Sequence, residues 1–167
     1  MLEYCSPVWN PHYHCDIDKI ESVQRRFSKN ISTLSSVTYA EHLSILHADC
    51  LELRRLKADL VMIYCSVHGL NALEFSDFFT LCNSSTHEHS LKLRNNLSRV
   101  NCHAFSFANH CIDVWNNLDT GNDIVTVPSL YSFKVGLKGV DFSKFLCVFF
   151  DVQGWCKLSV LSDHPFL

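Results

Sequence analysis

The feature that most constrains the fold is the repeat of apolar residues at intervals of three or four along the chain. It is clearest in residues 51–68, where the repeat runs through Leu53, Leu56, Leu60, Ile63 and Val67. This period places apolar side chains on one side of an α-helix, whereas a strand would scatter them over both faces. We therefore predict a helix over about residues 51–68, with Gly69 as its left-handed C-terminal cap.

The same period predicts a long helix nearer the start of the chain, over about residues 12–32. Asn10 is expected to be its N-cap and Pro11 its first helical residue, where the missing N–H costs nothing. The face predicted to be buried carries Ile17, Ile20, Val23, Phe27 and Ile31.

Shorter helices are predicted in four further places. One should follow a capping box of Thr38 and Glu41 and run to about Leu46. A buried helical turn is expected around residues 73–81, and an amphipathic helix over about residues 102–117. The last is expected to open at Pro128-Ser129. The apolar residues assigned to the last two helices are Phe105, Ala108, Ile112, Trp115, Leu118, Leu130, Phe133 and Leu137.

These elements predict an all-α fold, an irregular bundle of about five helices with a loose C-terminal tail. Residues 140–150 are aromatic and compatible with either helix or strand. From Asp151 onward the chain has no readable period. An apolar content of 47% with 19% charged residues is ordinary for a globular domain, so we expect the chain to be folded.

The net charge argues against strong autonomous binding of nucleic acid. Lys and Arg number 14 against 17 Asp and Glu, which gives −3. Neutralisation of phosphates supplies most non-specific affinity for nucleic acid, and free-standing binders usually carry a basic excess. Weak contact is therefore the most that the charge balance predicts.

Nine cysteines occur in a chain whose N-terminus lacks a basic and apolar leader. This combination predicts an intracellular protein with reduced, partly buried thiols and no disulfides. The longest apolar run, residues 145–150, is far shorter than the roughly 20 residues that cross a bilayer, so no membrane span is expected.

Two groups of residues resemble metal ligands, since zinc prefers four nitrogen or sulfur ligands in closely spaced pairs. They are Cys5, His12, His14 and Cys15, and Cys102, His103, His110 and Cys111. Surface histidines and buried thiols are the favoured interpretation of both groups. We predict no cofactor and no metal site, and a zinc-binding helical module is kept as a third hypothesis.

A polymerase of the two-metal kind needs paired carboxylates to hold its magnesium ions. No two aspartates are adjacent anywhere in the 167 residues. We therefore predict that the chain has no catalytic residues for polymerisation.

Arg25, Arg26 and Lys29 lie close together on the first long predicted helix. They suit contact with the phosphates of a template–primer duplex. They also suit a solvated helix face balanced by Asp16, Asp18 and Glu21. Charge balance alone favours the solvated face.

A series of short motifs resembles the reverse transcriptases of non-LTR retrotransposons, of the LINE-like, jockey and CR1 types. The first four, in chain order, are LEYCSPVWNP (2–11), IESVQRRF (20–27), LELRRLKADL (51–60) and YCSVHGL (64–70). They are followed by DFF (77–79), HSLKL (89–93), residues 107–118 with VWN near their end, VPSL (127–130) and FK (133–134). Each is weak alone, but their order over residues 2–150 matches the region that follows the palm of those enzymes.

The resemblance implies ancestry in an RNA-directed DNA polymerase and a division into three segments. Residues 1–75 would be a thumb-like helical segment, residues 76–150 a post-thumb helical region, and residues 151–167 an unassigned tail. It also implies weak contact with an RNA–DNA template–primer. The resemblance assigns this contact to Gln24, Arg25, Arg26, Arg54 and Arg55. With Lys29 and Lys57, cations on the same two predicted helices, these are the predicted contact residues.

The chain departs from the family where basic residues are expected. It has Thr86-His87-Glu88-His89 in place of a basic Thr-Arg-Gly-His, and Asn109-His110 where an asparagine–arginine pair is common. Both changes remove positive charge. Because a thumb packs on its palm, the segment Tyr4–Trp9 is expected to expose apolar surface and to favour self-association. The alternative function is a helical protein-interaction domain that does not bind nucleic acid.

Overall fold

The structure is a computed structural model that describes residues 2–31, 36–82, 91–95, 107–118, 124–150 and 156–158. These residues form seven α-helices and one two-stranded antiparallel sheet. The helices are α1 (Ser6–Trp9), α2 (His14–Lys29), α3 (Tyr39–Ile45), α4 (Leu51–Val67), α5 (Phe75–Phe78), α6 (Phe107–Asn116) and α7 (Leu130–Gly136). Short 3₁₀ turns lie at Leu137–Gly139 and Ser143–Phe145, and the strands are β1 (Val148–Phe150) and β2 (Cys156–Leu158). The all-α prediction is confirmed for this part of the chain, with the ambiguous segment ending in β1.

The chain divides into two compact units. Unit 1 contains Met1–Asn10 and Arg55–Asp141, and unit 2 contains Pro11–Arg54 and Phe142–Leu167. Helix α4 therefore begins in unit 2 and continues in unit 1. These units do not test the assignment of residues 1–75, 76–150 and 151–167 to separate regions, which stays a prediction.

Helix α2 exists where a helix was predicted, but its start and its buried face differ from the prediction. Its N-cap is Tyr13, while Asn10 ends α1. Ile17, Glu21 and Ser28 are buried, whereas Val23 is 50% exposed and Phe27 is 73% exposed. The face turned inward is thus largely polar, because partners within unit 2 satisfy its polar groups.

Helix α3 begins at the predicted capping box. Thr38 accepts a hydrogen bond from the Glu41 backbone N–H, and the Glu41 carboxylate accepts one from the Thr38 backbone N–H. Each side chain therefore satisfies one of the backbone donors that a helix start leaves unpaired. These bonds and the Thr38 hydroxyl lower the pKa of the Glu41 carboxyl.

Helix α4 ends at Val67, and Gly69 is its left-handed C-terminal cap, as predicted. Gly69 has φ +64°, its N–H donates to the Ser66 carbonyl, and the Leu70 N–H donates to the Cys65 carbonyl at 2.7 Å. This pair of bonds is the Schellman arrangement, in which a left-handed residue lets the chain turn back on the last helical carbonyls.

The core of unit 1 is aromatic and joins α4, α6 and α7. Tyr64 stacks on Phe133 with ring centroids 4.3 Å apart, and Trp115 meets Phe133 at 6.0 Å. The polar ends of both large rings are satisfied: the Tyr64 hydroxyl donates to the Val127 carbonyl at 2.6 Å, and Trp115 Nε1 donates to the Leu91 carbonyl at 2.9 Å. Members of the predicted faces that are buried are Leu56, Leu60, Ile63, Ile112, Trp115, Leu118, Phe133 and Leu137.

Two predicted apolar segments are only partly tested. Around α5, Phe79 is buried, but Leu73, Phe78 and Leu81 are exposed, so the predicted buried turn is wrong for most of its length. The predicted start of the helix at about residue 102 lies outside the described residues. Among the described helices, none combines the length and apolar character needed to cross a bilayer.

Candidate functional site

The seven residues assigned to template–primer contact fall in both units and differ in exposure. Gln24, Arg25 and Arg54 belong to a polar network in unit 2. Arg26 and Lys29 are exposed on α2. In unit 1, Arg55 is buried and Lys57 is half-buried.

The polar network of unit 2 is centred on the buried carboxylate of Glu21. The Tyr39 hydroxyl donates to Glu21 Oε1 at 2.5 Å, and the Leu51 N–H donates to Oε2 at 3.0 Å. Glu21 therefore caps α4 from a different helix, and its negative charge lies at the positive end of the α4 dipole. Burial raises the pKa of Glu21, and these hydrogen bonds oppose the rise.

Gln24 and Arg54 extend this network. Gln24 donates to the Tyr39 hydroxyl at 3.0 Å and accepts a hydrogen bond from the Arg54 guanidinium. The Arg25 guanidinium carbon lies 5.1 Å from the centre of the Tyr39 ring, within the range of a cation–π contact. These contacts tie α2 to α3 and to the first turn of α4, which is a structural use for Gln24 and Arg54.

The solvent side of α2 combines two cations with two apolar side chains. We define the α2 outer face as Val23, Arg26, Phe27 and Lys29, all of which are exposed. Arg26 and Lys29 lie three positions apart, so they share one side of the helix. Among the described residues, neither has a carboxylate within 4 Å, and the ion pair on this helix joins Lys19 to Asp16 at 2.9 Å.

The expected balance of charge on α2 is therefore only partly present. Asp16 is engaged by Lys19, which lowers the pKa of the Asp16 carboxyl. Glu21 is buried at the start of α4. Two of the three acids that were expected to neutralise Arg26 and Lys29 thus have other partners.

Arg55 occupies an aromatic setting within unit 1. Its guanidinium carbon lies 3.9 Å from the centre of the Trp9 ring, and its Nε and Nη2 have no hydrogen-bond partner among the residues that the structure describes. Burial lowers the pKa of Arg55, while the charge of Asp59, one turn later on α4, opposes that change. A guanidinium enclosed in this way is not presented to a phosphate in this conformation.

A second cluster of unit 1 brings together Asp59, His110 and Cys111. One potential ligand atom from each lies within 4.8 Å of the others, and no other group of this kind occurs in the described ranges. The Cys111 thiol donates to Asp59 Oδ2 at 3.8 Å, and Asn10 Nδ2 lies 3.1 Å from His110 Nε2. Within the part of the chain that the structure describes, Asp59 Oδ1 has no hydrogen-bond partner.

Burial shifts the titration of all three groups in this cluster. It raises the pKa of Asp59 to about 7 and that of Cys111 well above its ordinary value. It lowers the pKa of His110, although part of the imidazole remains accessible to solvent. Near neutral pH the site therefore consists of a thiol, a neutral imidazole and a carboxyl that is partly protonated.

Sequence reasoning found two members of this cluster and missed the third. His110 and Cys111 were grouped with Cys102 and His103, which lie outside the described residues. Asp59 is 52 positions from Cys111, and no local spacing connects them. The other sequence group is not reproduced within unit 2, where His12, His14 and Cys15 do not form a cluster of three ligands.

The segment Tyr4–Trp9 exposes apolar surface, as expected. Tyr4 is 77% exposed and Val8 is 84% exposed. Trp9 Nε1 donates to the Tyr4 carbonyl at 2.6 Å, so this segment has an internal hydrogen bond despite its exposure. Self-association through it stays a prediction.

Comparison of the chain with protein-family models, with curated proteins and with solved structures found no match.

Proposed function

We propose that this chain descends from the thumb and post-thumb region of a non-LTR retrotransposon reverse transcriptase and makes weak, non-specific contact with nucleic acid. The ordered series of motifs over residues 2–150 supports the ancestry. The observation that carries the contact role is the α2 outer face, where Arg26 and Lys29 are exposed and no carboxylate of the described residues lies within 4 Å of either. The absence of adjacent aspartates supports a chain without polymerase chemistry of its own.

The contact is assigned to α2 because cations there are accessible. Arg26 and Lys29 would bind phosphates, and the exposed ring of Phe27 offers a surface on which an unpaired base can stack. Arg25 is adjacent and half-buried against Tyr39. Gln24 and Arg54 hold α2 in place, and Arg55 supports unit 1, so their substitution would act through the fold.

The test is binding of an RNA–DNA hybrid at several salt concentrations. The double variant Arg26→Ala/Lys29→Ala is expected to bind more weakly and to reduce the dependence of log K on log salt by roughly 2, because two phosphate contacts are lost. The matched control is Lys134→Ala/Lys138→Ala, which removes two exposed cations elsewhere in the chain. Equal slopes for both variants would refute the contact role.

The apolar residues of the α2 outer face favour a second function. Val23 and Phe27 are large apolar side chains left in solvent, and exposed apolar patches bordered by polar residues mark protein-interaction sites. On this hypothesis the chain is a helical protein-interaction domain that does not bind nucleic acid. Phe27→Ser should then abolish capture of a partner, while Tyr131→Ser, at an equally exposed aromatic residue, should not. Retention of the partner by Phe27→Ser would exclude this surface.

A further inference from the structure

The cluster in unit 1 has the composition of a transition-metal site. Asp59, His110 and Cys111 offer one oxygen, one nitrogen and one sulfur atom, all within 4.8 Å of one another. Magnesium and calcium prefer oxygen ligands alone, whereas zinc accepts this mixture. We propose that Asp59, His110 and Cys111 bind one Zn²⁺ ion, with a water molecule as the fourth ligand. This proposal does not depend on the proposed contact with nucleic acid.

The distances suit a small ion. Zinc–sulfur and zinc–oxygen bonds of about 2.3 and 2.1 Å at a tetrahedral angle would place the two ligand atoms about 3.6 Å apart. Cys111 Sγ and Asp59 Oδ2 lie 3.8 Å apart, so closure requires a small movement. The His110 side chain is partly in solvent, which gives it freedom to adjust and gives the ion a path of entry.

An independent observation at the same site is the unpaired oxygen of Asp59. The residue is fully buried, and among the described residues its Oδ1 has no partner at hydrogen-bond geometry, although the Ser6 hydroxyl acts on the same carboxyl. A buried polar atom without a partner costs free energy that a bound cation would recover. Asn10 Nδ2 lies 3.1 Å from His110 Nε2; for zinc to bind through Nδ1, this amide must turn so that its oxygen accepts the N–H of the second imidazole nitrogen.

One neighbouring charge opposes the ion. Arg55 acts electrostatically on Asp59, and Glu3 in turn acts on Arg55. The ion must also displace the thiol proton of Cys111. Zinc binding should therefore strengthen as pH rises and should release at least one proton.

The experiment uses the full chain, reduced and freed of metal by a chelator, in the background Cys5→Ser/Cys15→Ser, which removes two exposed thiols. At pH 8 we expect one equivalent of Zn²⁺ to bind and to raise Tm. Co²⁺ should give the charge-transfer absorption of a thiolate ligand. Calorimetry in two buffers of different ionisation enthalpy would measure the released protons.

Substitution of each proposed ligand tests whether the ion binds at this cluster. Cys111→Ser and Asp59→Asn are each expected to weaken zinc binding by more than about 100-fold, a larger loss than removal of a group that only hydrogen-bonds to a ligand causes. The matched control is Cys65→Ser, a half-buried thiol on α4, which should bind zinc as before. Because buried substitutions can unfold the protein, His110→Gln supplies a variant at a partly exposed position that should lose zinc with its metal-free Tm unchanged.

Three results would overturn the proposal. The first is a folded chain that takes up no zinc at micromolar concentration. The second is equal binding by the parent and by a folded His110→Gln variant. The third is uptake that depends on Cys5 and Cys15 in the unmodified chain and disappears in the Cys5→Ser/Cys15→Ser background, which would place the ion at the other sequence group.

Discussion

Helices α2 and α4 have similar periods of apolar residues but bury different kinds of side chain. In α4 the predicted stripe includes Leu56, Leu60 and Ile63, and all three are buried. In α2 the predicted stripe includes Val23 and Phe27, and both are exposed, while Glu21 is buried. The difference shows that period determines where a helix can form, whereas the inward face depends on which groups find partners.

The comparison predicts very unequal effects for two phenylalanines. Phe133→Ala should destabilise the protein by about 3–5 kcal/mol, because it removes a ring that packs on Tyr64 and Trp115 and leaves a cavity. Phe27→Ala should change stability by less than about 0.5 kcal/mol, as exposed positions do. Urea denaturation of the two variants measures both values. Similar losses would show that a partner, such as a second copy of the chain, covers Phe27.

Glu21→Ala tests whether the buried polar face of α2 stabilises unit 2. The change leaves the Leu51 N–H and the Tyr39 hydroxyl without their buried acceptor, so a loss of about 2–3 kcal/mol is expected. Glu41→Ala is a useful comparison, since it removes an exposed carboxylate that caps α3 and should destabilise the protein less than Glu21→Ala does. An equal or smaller loss for Glu21→Ala would mean that the network contributes little.

Ionisation of Asp59, a buried residue of α4, makes the stability of the protein depend on pH. Its pKa is raised to about 7 in the folded chain, so the stability it contributes is full below about pH 4 and is lost as pH rises through 7. In the metal-free protein, Asp59→Asn should therefore raise Tm at pH 8 and change it little at pH 4. A stabilisation that is equal at both pH values would show that ionisation of Asp59 is not responsible.

The smallest expected effect concerns the end of α4. Gly69→Ala should cost about 1 kcal/mol, because φ is +64° and the added Cβ meets no neighbour, which leaves backbone strain as the cause. Gly139→Ala also adds a Cβ to open space, without a positive φ, and should be neutral within about 0.5 kcal/mol. Thermal unfolding of the pair isolates the strain. Equal Tm values would show that the left-handed cap is not needed.

Most helices could be predicted because their signals are local. The Thr38–Glu41 box, the Gly69 cap and the Ser129 N-cap each involve residues within a few positions of one another. The predicted Asn10-Pro11 start of α2 was wrong because an equally local feature, α1, ends at Asn10. The contact residues stay a prediction, since sequence groups cations by position and cannot tell exposed Arg26 from buried Arg55.

The sequence alone determined that the chain is helical and has no adjacent aspartates, because periodicity, caps and composition can be read without knowledge of distant contacts. Tertiary structure decided which cations remain in solvent and which become supports for the fold. It also placed Asp59 beside His110 and Cys111. Such outcomes depend on burial and on contacts between residues far apart in the chain. A buried polar group without a partner costs free energy, so the fold favours arrangements in which these groups are paired.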